Sequence, residues 1–157
     1  MIVNVLLNSI YSAIGTLGFA ALFGVPKKYY VSCGVTGIAG WLTYMATSYF
    51  STAVIGSFFA ALMVVLVSRL LAVKEKCPIT VFLISGIFPL VPGAGIYYTV
   101  YYLLTNQMEK AAYQGMQSVK IAFAIVLGII IVVSIPREVF GYRSAGQKAE
   151  KKAGQKK

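Results

Sequence analysis

The chain has 157 residues, of which 59% are hydrophobic and 11% charged, with a formal net charge of +10. Its mean hydropathy is +0.79, against about 25% charged and 45–50% apolar residues in an ordinary soluble domain, which excludes a cytosolic enzyme and a disordered tail protein. With no histidine and four acidic residues (Glu75, Glu109, Glu138 and Glu150), the chain has no means to build a His triad or a His-based metal site.

Cys33 and Cys77 form no CxxC pair, so neither a disulfide framework nor a thiolate zinc site is expected. No cofactor is called for. The basic residues cluster between long uncharged runs. That pattern reads as an integral membrane protein of all-α class, not as a nucleic-acid binder.

A bilayer-spanning helix needs about 20 apolar residues. The first uncharged run is Ile2–Gly24, and no Lys or Arg precedes it, so it does not read as a secretory signal. A break at Val25-Pro26-Lys27-Lys28 separates it from a second run over 29–50, with Gly34, Gly37 and Gly40 spaced by three. A third run covers 53–73, with Arg69 near its end. The glycines, with Gly56 and Ala60, read as small-residue helix packing.

The fourth run, 79–104, reads ITVFLISGIFPLVPGAGIYYTVYYLL. Its prolines and glycines predict a broken helix. Each half is too short to cross alone, so one crossing by a broken helix is favoured over a re-entrant hairpin. Residues 105–119 read as polar and amphipathic, and a fifth span is expected over about 116–135. Together these place a transmembrane domain over 1–136. Residues 137–157 form a basic tail expected to be disordered.

Orientation follows from charge. Lys27 and Lys28 lie between spans one and two, and Arg69, Lys74 and Lys76 lie between three and four. Seven basic residues follow span five, whereas the loop between two and three has no charge. The positive-inside rule then puts the N-terminus outside and the tail in the cytoplasm, where its lysines would meet anionic lipid.

The break is the most informative stretch. A broken membrane helix exposes backbone groups that need partners. The half-helix starting at Gly93 directs free N–H groups and a positive dipole end toward the break, a geometry suited to a carboxylate. Pro89, Pro92, Gly93, Ala94 and Gly95 shape this site. Tyr97, Tyr98, Thr99 and Tyr101 follow with hydroxyls for a polar substrate. The same residues also fit a packing kink with tyrosines as interfacial anchors. Arg69 and Lys120 are candidate carboxylate partners, or cations that snorkel to the membrane boundary. Asn4, Asn8 and Asn106 fit either substrate or helix–helix bonding. No carboxylate lies inside a span, so ion coupling through a buried acid must come from elsewhere. An intramembrane enzyme lacks a nucleophile–base pair.

The run FPLVPGAGIYYTVYYLL resembles the P-x-x-P-G signature of the threonine/serine exporter (ThrE) family. The chain is similar over most of its length to the short stand-alone members of the YjjB type. Pro89, Pro92 and Gly93 carry over from that signature. The resemblance implies a multi-pass protein of the bacterial cytoplasmic membrane that exports small hydroxy amino acids such as threonine and serine. It also implies a YjjP-type partner subunit, a pairing associated with succinate export. A homo-oligomer is the alternative assembly, and a non-transporting structural subunit the alternative role. In longer members two membrane halves share one chain. Two five-span halves must then be inverted, and a second half would have the orientation read here.

Overall fold

A computed structural model describes residues 2–135, and every element in it is helical. The basic tail expected over 137–157 lies outside the described residues. The helices are α1 (Ile2–Leu22), α2 (Tyr30–Phe50), α3 (Ala53–Glu75), α4 (Thr80–Ile87), α5 (Gly93–Leu104) and α6 (Met108–Ser134). Short 3-10 turns at Lys27–Tyr29 and Phe88–Leu90 precede α2 and follow α4.

Local chemistry sets the ends. After α1 the chain turns through Gly24 at φ +66, and Val25 N–H returns to the Ala20 carbonyl at 2.9 Å. This is a glycine helix stop. Thr52 caps α3 by accepting from Ile55 N–H at 3.5 Å. Asn106 adopts φ 57 in the turn between α5 and α6, a backbone Asn tolerates better than most residues. That turn accounts for Asn106 without a substrate.

Glycines mediate the crossings. Gly37 lies against Thr16, Gly40 against Val64, and Gly56 against Tyr44 and Ser48. These contacts make α1 and α2 antiparallel, and α2 and α3 antiparallel. The small-residue spacing in α2 thus serves packing. Gly128 of α6 abuts Ala61, and a Cβ there would sit 2.8 Å from the Phe58 carbonyl oxygen. Further along, Ile135 meets Arg69. α3 and α6 therefore run parallel. Two apolar clusters form the core: Ala20, Tyr29, Cys33, Ala72 and Phe82 in one, and Ala60, Ala61, Val64, Leu90 and Ile125 in the other.

By length and composition, α3 and α6 can each cross a membrane. The pair α4–α5, bent by 44°, makes a third if it is one span. The apolar part of α1 is shorter, over Leu7–Leu22. α6 differs from expectation. It starts at Met108, well before residue 116, and continues for 27 residues. The polar stretch and the last apolar run are one helix.

Candidate functional site

The break is built from two anchored ends. On the α4 side, Phe88 stacks on Phe19 with centroids 4.3 Å apart, and Phe23 lies 5.2 Å away. Leu90 is buried in the second core cluster. On the α5 side the support comes from α6. Gly95 lies against Ser118, and Thr99 against Gly115. Ser118 is 7% exposed and donates to the Gln114 carbonyl at 2.8 Å.

Between these anchors Val91 is extended, and Pro92 sits at φ −75, ψ 55. Gly93 N–H donates back to the Val91 carbonyl at 2.7 Å, closing a three-residue turn around Pro92. The first bond of α5 runs from Ile96 N–H to the Pro92 carbonyl at 3.0 Å. Pro89 and Pro92 have no N–H to offer. In the first turn of α5, ahead of which no helical carbonyl stands, the amides of Ala94 and Gly95 lack an acceptor among the described residues. Val91, Gly93 and Ala94 are exposed. The arrangement is an open pair of donors at the positive end of a 12-residue helix.

Helical spacing continues this face. Gly93, Tyr97 and Tyr101 follow one stripe at four-residue intervals, and Ala94, Tyr98 and Tyr102 the next. Tyr97 stacks on Tyr101 at 6.5 Å, and Tyr98 on Tyr102 at 6.2 Å. The hydroxyls of Tyr97, Tyr98 and Tyr101 form no hydrogen bond among the described residues, and all three side chains are exposed. Thr99 differs. It faces α6 and donates to the Gly95 carbonyl at 2.7 Å.

The two expected cations do not join this group. Lys120 lies two residues past Ser118, which at 100° per residue turns it away from the side of α6 that holds α5. Arg69 sits near the far end of α6, about 25 Å along that helix from Ser118, and donates to the carbonyls of Val133 and Ile135 at 2.6 Å each.

The α6 half of the break, Gly115 and Ser118, is missing from the residues singled out in the sequence. The small residues Ala111, Gly115 and Ser118 at helical spacing were the available signal. No cluster of three or more His, Cys, Asp or Glu exists among the described residues.

Residues 8–135 match the family described as Threonine/Serine exporter, ThrE. No curated protein and no solved structure matches the chain. Members of this family are transporters, not enzymes, and the match runs from within α1 to the end of α6. The chain belongs to the threonine/serine exporter (ThrE) family.

Proposed function

We propose that this chain is one subunit of an exporter of small carboxylate-bearing metabolites, with threonine and serine as first substrates. It works in the bacterial cytoplasmic membrane beside a second family subunit of the YjjP type. The observation that carries the reading is the unpaired amides of Ala94 and Gly95 at the exposed start of α5. Backbone donors cannot be left to hydrocarbon. A substrate carboxylate at Pro92–Gly95 satisfies them, and Tyr97, Tyr98 and Tyr101 supply hydroxyls beside it.

Five spans with the N-terminus outside fit this role. The 44° bend supports α4–α5 as a single crossing, because a hairpin would have to double back. The helical parts, α4 and α5, rise about 12 and 18 Å, together about the thickness of the bilayer core. The parallel course of α3 and α6, with α4–α5 returning between them, supports the same alternation. Alternating access comes from movement of this bundle against its partner.

A second reading has its own support. A zwitterionic amino acid needs an acceptor for its ammonium, and among the described residues the acids lie at the far end of α3 and the first turn of α6. A dicarboxylate such as succinate needs no such acceptor. The deciding experiment is efflux of threonine, serine and succinate from preloaded cells. The chain is expressed alone, with its partner, and with the partner plus Gly93→Leu. Efflux that needs both chains and is lost with Gly93→Leu at equal abundance supports the proposal and names the substrate. A stable complex that exports none of the three overturns the substrate assignment. Unchanged export with reduced complex yield supports a purely structural subunit.

A further inference from the structure

We infer that Arg69 is a structural latch that holds the end of α6 to α3 and fixes the register of the two helices. Arg69 is 8% exposed, and its two terminal nitrogens donate to the Ile135 and Val133 carbonyls at 2.6 Å each. These bonds link residues 64 and 66 apart in sequence.

α6 has to end here. Pro136 lacks an N–H and disfavours helical backbone in the residue before it. The last carbonyls of a helix have no partner within it. Ile135 N–H takes the Val132 carbonyl at 3.2 Å. The guanidinium takes two more.

Depth makes the pairing necessary. α3 runs parallel to α6 and continues past Arg69 to Glu75, a rise of about 9 Å. The carbonyl end of α6 therefore stops short of the end of α3. An open helix end at that depth is costly, and the guanidinium satisfies it. The planar fork of arginine reaches two carbonyls at once, which a lysine cannot do. Sliding α6 by a turn along α3 would break both bonds. The inference does not depend on which substrate the chain moves.

The test is hydrogen exchange on the full chain in lipid nanodiscs. With Arg69→Leu, exchange in the last turn of α6 rises about tenfold, and less with Arg69→Lys, while amides of α5 are unchanged. In the unsubstituted chain, the nitrogen-15 signals of the Arg69 guanidinium, assigned by loss in Arg69→Lys, show hindered rotation and slow proton exchange. That measurement holds if Arg69→Leu fails to fold. Freely rotating guanidinium signals overturn the inference. So does unchanged exchange at the end of α6 in folded Arg69→Leu, or a raised KM for threonine in Arg69→Lys with that exchange unchanged.

Discussion

Gly95 and Ser118 are in such close contact that a Cβ on the glycine would overlap the serine hydroxyl. Ser118 is buried and bonded to Gln114, so it cannot simply swing away. Gly95→Ala should therefore separate α5 from α6 and destabilise the fold by about 1–3 kcal/mol, the usual cost of overpacking. Removing the obstacle with Ser118→Gly should restore much of that loss. A thermal denaturation series on the two single variants and the double variant checks it. Strictly additive effects would dissociate the two residues.

Gly93 behaves oppositely. A Cβ there meets nothing within 4 Å, and its φ is not positive. Gly93→Ala and Gly93→Leu should fold with unchanged stability, within about 0.5 kcal/mol. Their effect should fall on transport, with Leu abolishing efflux and Ala reducing it. Loss of folded protein in Gly93→Ala would contradict the open surroundings of this residue.

The tyrosine face gives a finer test. Tyr97→Phe and Tyr101→Phe remove hydroxyls that bond to nothing among the described residues, so stability should not change. If those hydroxyls contact substrate, each loss should raise KM about 2- to 10-fold, the worth of one hydrogen bond. Efflux over a range of internal substrate concentrations separates KM from maximal rate.

Cys77 reports topology. It follows α3 in the loop that the proposed orientation puts in the cytoplasm, whereas Cys33 is fully buried. A membrane-impermeant maleimide should label Cys77 in inverted vesicles and spare it in intact spheroplasts. Burial pushes the Cys77 thiol above its ordinary 9.0, and Glu75 adds to the rise. A raised thiol pKa means less thiolate at a given pH, so labelling at pH 8 should be slower than for a free thiol. The rate should still climb beyond pH 9.

Much of this was legible in the sequence because charge and proline act locally. Lys27 and Lys28 mark the end of α1, and Lys74, Glu75 and Lys76 the end of α3. Pro89 and Pro92 mark the break. Gly37 and Gly40 pack as their spacing implied. The start of α6 was not legible. Residues 105–119 read as polar and amphipathic, and hydropathy cannot reveal a seam of Ala111, Gly115 and Ser118 closing on α5. The different roles of Gly93 and Gly95 were also hidden, because they depend on what stands opposite. Arg69 meets backbone carbonyls distant in sequence, and carbonyls carry no side-chain signature.

α5 has no buried residue, and its packing is chiefly on α6. It therefore goes where α6 goes. α6 is itself fixed along the far half of its 27 residues, where Ile125 and Gly128 pack on α3 and Arg69 ties down the end. Its near half carries α5 through Gly115 and Ser118. The start of α5 is therefore cantilevered: its position is set at second hand, by a helix whose own footing is on α3.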